Sequence, residues 1–201
     1  MECMTCSLLD ALSKPLLESQ ETKRRILCDV AEGIKHLHSC GVVHRDIKPE
    51  NVLMQIVDGE LIGRAKVCDF GVSRKAQATT TATTDAYTRP IGTHQYMPPE
   101  AFSNSAQKGS RRNRDIWSFG VLMCVVYQPR FLKNIASRYP DVLHLKTVTG
   151  EFAKEVAGSA GSISWDGSLG ELAMSCLSLN PKSRPRIGEV LRKLTERGAA
   201  S

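Results

Sequence analysis

Residues 114–127, RDIWSFGVLMCVVY, place apolar side chains almost all the way around a helix. A helix without a polar stripe has to be buried on every side, so this stretch obliges the rest of the chain to fold around it. Suitable partners are present. In residues 20–40, Ile26, Leu27, Val30, Ile34 and Leu37 recur at helical spacing, and Gly41 is well placed to end that helix. Two further helices are expected near 168–179 and 186–197, separated by NPKSRPR. The run GVVHRD reads as short and extended. NVLMQIV (51–57) and GRAKVCDF (63–70) read as two strands joined by a turn at DGE. With 201 residues and 41% apolar content, the chain can bury one sizeable core. The expectation is a single, mainly α domain over 1–201 with a small β-hairpin carrying the polar motifs. Residues 128–167 show little pattern, and AGSAGSIS (157–164) reads as a flexible loop.

Several function classes are disfavoured. The net charge is +6, but the only basic cluster is RRNR at 111–114. A nucleic-acid surface needs a basic stripe interleaved with aromatics, so no nucleic-acid partner is expected. The longest apolar run, VLMCVVY, is 7 residues, far short of a membrane span. Seven cysteines, most of them inside apolar runs, read as free thiols of a reducing compartment. The first residues lack the basic-then-apolar pattern of a secretory signal. An intracellular, cytoplasmic location is therefore expected.

The chemistry is concentrated in HRDIKPEN, residues 44–51. Pro49 forbids a regular helix or central strand there, so the segment is a loop that can turn Asp46, Lys48 and Asn51 toward one pocket. An acid, a cation and an amide together suit phosphoryl transfer. The acid orients a hydroxyl and takes its proton, the cation stabilises charge on the transferred phosphate, and the amide ligates Mg²⁺. Asp69, in CDFG at the end of the next strand, supplies a second metal ligand, and Gly71 gives the following backbone freedom. Between CDFG and residue 98 the sequence is rich in threonine and has almost no periodicity, which marks a functional or mobile segment.

Each motif alone is weak, but their order and spacing resemble the protein kinase family. The likeness continues in GTHQYMPPE (92–100), DIWSFG (115–120) and CLSLNPKSRPRIGEVL (176–191). Lys48 in DIKPEN and Thr93 in GT resemble the serine/threonine type. The fold implied is a kinase C-terminal lobe. Asp46 is then the catalytic base, and Lys48 the cation beside the γ-phosphate of ATP. Asn51 and Asp69 are the Mg²⁺ ligands. His44 and Phe70 stack in an apolar column, Arg45 receives a phosphate, Asp115 anchors the catalytic loop, and Glu100 pairs with Arg184. Leu53 forms the floor beneath adenine, with Glu2 and Met4 as further nucleotide contacts. The partners implied are ATP, a protein substrate and an upstream activating kinase acting on Thr79, Thr80, Thr81, Thr83, Thr84 or Thr88.

The resemblance begins at the hinge, with Met1 at the gatekeeper position. No G-x-G-x-x-G loop or V-A-I-K lysine is present, so the family's N-terminal β-rich lobe is absent from this sequence. The expectation is a fragment of a longer serine/threonine kinase. The alternative is a catalytically inactive, kinase-like binding or scaffold module. Residues 1–201 alone are expected to transfer no phosphate, because a one-sided pocket loses apolar burial worth about 25 cal/mol per Å². They are also expected to expose an apolar patch that includes Leu8, Leu53 and Phe70. Calorimetry with Mg-ATP on the purified polypeptide should give very weak binding, and micromolar binding would contradict this.

Overall fold

The computed structural model describes residues 4–13, 17–58, 60–71, 73–75, 93–102, 111–137 and 149–196. Helix α3 (Arg112–Tyr127) runs through the centre, and every residue from Asp115 to Tyr127 is buried. Around it lie α1 (Leu8–Leu12), α2 (Gln20–Ser39), α4 (Phe131–Ala136), α5 (Thr149–Ser159), α6 (Leu169–Cys176) and α7 (Ile187–Thr195). The fold is mainly helical, as the sequence pattern requires.

Helix α2 starts at the N-cap Ser19, whose hydroxyl accepts from the Thr22 N–H. It buries Ile26, Leu27, Val30, Ala31 and Ile34 completely against the core. The chain leaves the helix through Gly41 at φ 72°, a left-handed conformation that glycine adopts without a Cβ penalty. Arg24 clamps the far helix by donating to the Leu194 and Glu196 carbonyls at 3.2 Å each. Those carbonyls lie at the C-terminal end of α7, where a cation is favoured.

Contact between α3 and α6 depends on Gly120. A Cβ there would lie 2.9 Å from Cys176 Cβ and 3.0 Å from Leu177 Cγ, so any side chain would force the helices apart.

The sheet is larger than a hairpin. Strands β1 (Cys6–Ser7), β3 (Val52–Val57) and β4 (Glu60–Val67) form an antiparallel sheet in the order β1-β3-β4. A separate pair joins β2 (Val42–Val43) to β5 (Arg74–Lys75). The second hairpin strand starts and ends three residues earlier than the sequence pattern suggests, because the turn sets Val57 opposite Glu60. Helix α2 covers β4, and Asp29 accepts from the Ala65 N–H at 3.0 Å. Burial raises the Asp29 carboxyl above its ordinary value despite that hydrogen bond.

Two further expectations are corrected. Residues 157–164 are not a loop. They end α5 and form a 3₁₀ turn, Ala160–Ser162, with Ala160 fully buried. Small residues there permit close packing against α6. Helix α4, in the unreadable stretch, buries Phe131, Leu132 and Ile135. Leu8 is not part of an exposed patch. A capping box between Ser7 and Asp10 sets the rotation of α1, so that Leu8 and Ala11 face the core and Leu9 faces outward. Phe70 is 51% exposed and Leu53 partly so. No helix among the described residues is long and apolar enough to cross a membrane.

One ion pair closes the base of the lobe. The Arg184 guanidinium donates to both oxygens of Glu100, at 2.6 and 2.8 Å, and to the Ser178 and Asn113 carbonyls. It also lies 4.9 Å from the Trp117 ring centroid. Its side chain is fully buried, so loss of the partner leaves a desolvated charge. Glu100→Ala should destabilise the fold by roughly 3–5 kcal/mol in urea unfolding. A change below about 1 kcal/mol, the worth of an exposed pair, would show that the pair is dispensable.

Candidate active site

The loop from β2 to β3 is shaped from below by Asp115. This carboxylate, fully buried on α3, accepts the His44 N–H at 2.9 Å on Oδ2 and the Arg45 N–H at 2.8 Å on Oδ1. His38 Nε2 of α2 donates to Oδ2 at 2.8 Å. These bonds hold Arg45 at φ 73°, a left-handed conformation that costs a non-glycine residue about 1–3 kcal/mol. The turn carries Asp46 into contact with Lys48 and Asn51. Pro49 then opens a 3₁₀ turn, Pro49–Asn51, that leads into β3.

His44 links the loop to the next strand. Its Nε2 donates to the Cys68 carbonyl at 2.9 Å, while its Nδ1 accepts the Asp46 N–H at 3.3 Å. Those partners fix the ring's tautomer. The Phe70 ring lies 5.4 Å from it, tilted by 60°.

Asp46, Lys48 and Asn51 converge as expected. Asp46 Oδ2 is 2.9 Å from Lys48 Nζ and accepts from Asn51 Nδ2 at 3.1 Å. Its Oδ1 accepts the Thr93 N–H at 2.8 Å. Burial pushes the Asp46 carboxyl up, but the hydrogen bonds from Lys48 and the Thr93 N–H outweigh it and hold the group below its ordinary value. Lys48 Nζ also donates to Thr93 Oγ1 at 2.7 Å. Asn51 Nδ2 additionally donates to the Asp46 carbonyl at 2.8 Å. Its amide NH₂ is therefore committed to the loop, leaving Oδ1 as the atom for a cation.

Asp69 follows β4 at φ 61°, with an exposed side chain whose Oδ1 accepts the Gly71 N–H at 3.1 Å. The Cys68 N–H donates to the Asn51 carbonyl at 2.9 Å, so Asn51 and the segment holding Asp69 are adjacent. Two oxygen donors of this kind, one amide and one carboxylate, suit a hard cation such as Mg²⁺. Among the described residues no group of three or more His, Cys, Asp or Glu side chains is assembled for a metal. Phosphate oxygens and water would complete the shell.

Leu53 lies on the face of β3 opposite the buried Val52 and Met54, paired with Ser7. Met4 is partly exposed just ahead of β1, and Thr5 docks on β3 through its N–H to the Met54 carbonyl at 2.9 Å. Glu2 and the six threonines from Thr79 to Thr88 lie outside the described residues.

His38 escapes the sequence reading of the site, and Thr93 enters that reading only as a mark of the serine/threonine type. His38, which holds Asp115, follows Ile34 by four residues on the buried face of α2. A polar side chain on an apolar stripe was its only signal. Thr93 binds both the acid and the cation, a convergence that only the tertiary fold creates.

The protein kinase domain family matches residues 1–194. Over 135 residues the chain is 30% identical to MAP kinase-interacting serine/threonine-protein kinase 1 of Xenopus laevis, covering 64% of this chain and 32% of that protein. It is 39% identical over 116 residues to ribosomal protein S6 kinase alpha-2 of Mus musculus and of Homo sapiens. That match covers 58% of this chain and 14% of each relative. The chain thus spans less than a third of the length of these relatives.

The depressed Asp46 carboxyl has a consequence for stability. A folded value below the unfolded one contributes stability at neutral pH, in full above the unfolded value of about 3.9. That contribution is lost as pH falls through the lower folded value. In urea unfolding between about pH 2 and pH 6, Asp46→Asn should flatten the acid limb of stability relative to the wild type. Parallel curves would show that the Lys48 and Thr93 contacts do not favour the ionised acid.

Proposed function

Because the chain belongs to the protein kinase family, we propose that residues 1–201 carry the catalytic loop and metal ligands of a protein serine/threonine kinase. The reaction is transfer of the γ-phosphate of ATP to a protein hydroxyl. The observation that carries this reading is the Asp46 carboxylate, held by Lys48 and Asn51 of its own loop and by the Thr93 N–H from a distant segment.

Asp46 accepts the proton of the substrate hydroxyl as its oxygen bonds to phosphorus. The bond from phosphorus to the bridging oxygen of ADP breaks, and ADP keeps that electron pair. Lys48 lies between the acid and Thr93, where a cation offsets charge on the transferred phosphoryl group. Asn51 and Asp69 hold Mg²⁺, which when bound neutralises charge on the nucleotide phosphates. Leu53 supports adenine, with Glu2 and Met4 as hinge contacts.

The serine/threonine class is supported by the Lys48–Thr93 contact at 2.7 Å and by the likeness to the Xenopus serine/threonine-protein kinase. An intracellular location is supported by the unbridged cysteines Cys6, Cys28, Cys40, Cys68, Cys124 and Cys176. Regulation is assigned to phosphorylation of the Thr-rich run by an upstream kinase. The added charge of about −1.5 to −2 would recruit basic residues such as Arg45.

The test uses the kinase carrying both lobes. Asp46→Asn should lower kcat by about 10²–10⁴-fold with little change in nucleotide affinity. Asp69→Asn should weaken Mg²⁺-dependent nucleotide binding itself. Loss of nucleotide affinity alone in both variants would overturn the assignment of roles.

A further inference from the structure

Ser118 is 5% exposed on the central helix, and its hydroxyl faces two carbonyls. The carbonyl of Arg114, one turn back at 3.1 Å, is the usual partner of a helical serine. The carbonyl of Tyr96 is closer, at 2.8 Å. A hydroxyl has one proton to donate, and the shorter contact is the better acceptor.

Tyr96 ends the 3₁₀ turn His94–Tyr96. Its N–H donates to the Thr93 carbonyl at 2.9 Å. Thr93 in turn gives its N–H to Asp46 and accepts from Lys48. A continuous series of hydrogen bonds therefore runs from the core helix to the acid and cation of the site.

Resting on the kinase reading above, we propose that Ser118 is a positioning residue for phosphoryl transfer. From α3 it fixes the His94–Tyr96 turn, and through that turn it holds Thr93 against Asp46 and Lys48. Helix α5 packs against the same turn, but apolar packing is non-directional and does not set where the Thr93 N–H points. The Ser118 hydroxyl supplies that direction. Tyr96 is itself buried, at 7% exposure, so a protein hydroxyl is the natural partner for its carbonyl.

The test compares Ser118→Ala, Ser118→Thr, Thr93→Ala and the Ser118→Ala/Thr93→Ala double variant in the kinase carrying both lobes. Ser118→Ala should lower kcat about tenfold, since sub-ångström misplacement of reacting groups is costly. The KM for ATP should stay within about twofold, because no nucleotide contact changes. Ser118→Thr, which keeps the hydroxyl, should retain most of the rate. Thr93→Ala removes the hydroxyl that accepts from Lys48 but keeps the N–H to Asp46, so in that background Ser118→Ala should cause a smaller further loss, the non-additivity expected of residues that share one path. Equal losses in both backgrounds, or an unchanged kcat with only a lower Tm, would overturn the proposal. A wild-type kinase without phosphotransfer would overturn the underlying kinase reading instead.

Discussion

The buried Asp115 carboxylate is the point on which the candidate site depends. A fully buried charge is tolerated only when its lone pairs are filled, and here three N–H groups fill them. Two come from the backbone of the loop, His44 and Arg45, and one from His38 on α2. The loop cannot leave without exposing an unsatisfied charge to the core. That constraint sustains the left-handed Arg45, and the turn at Arg45 is what presents Asp46. The central helix is thus both the hydrophobic core and the anchor of the chemistry.

The same logic recurs at the base of the lobe, where Arg184 has no exposed side-chain surface and meets Glu100 through both oxygens. Departures from relaxed backbone cluster near the site. Of the three described non-glycine residues with positive φ, Arg45 immediately precedes Asp46 and Asp69 is itself a candidate site residue. Strain of this kind persists where surrounding structure over-determines it. At Arg45 the determinant is Asp115, and at Asp69 it includes the side chain's own bond to the Gly71 N–H.

Much of this was legible in the sequence. The all-round apolar character of 114–127 identified the central helix, and the spacing of Ile26, Leu27, Val30, Ile34 and Leu37 identified the helix that covers it. Asp46, Lys48 and Asn51 lie within six residues, so local motif chemistry was enough to bring them together. Other features depended on tertiary context. Ala160 and Ile163 lie in a stretch that looks like a loop by composition, but the fold buries them where the Ala160–Ser162 turn packs against α6. Leu8 became core through the capping box that sets the rotation of α1. Thr93 reaches Asp46 across 47 positions, a separation that no local pattern encodes.

The account stands or falls on whether the core anchors the loop that holds Asp46, and Asp115→Asn in the phosphotransfer-competent kinase proposed above tests that directly. The asparagine keeps the shape, but it presents an NH₂ to backbone N–H donors that need an acceptor. Steady-state phosphotransfer to a protein substrate should fall about 10- to 100-fold, the cost of misplacing a catalytic group by an ångström or less. Far-UV circular dichroism should show the helices retained. An unchanged kcat would contradict the account, because the loop would then keep its geometry without the charge beneath it.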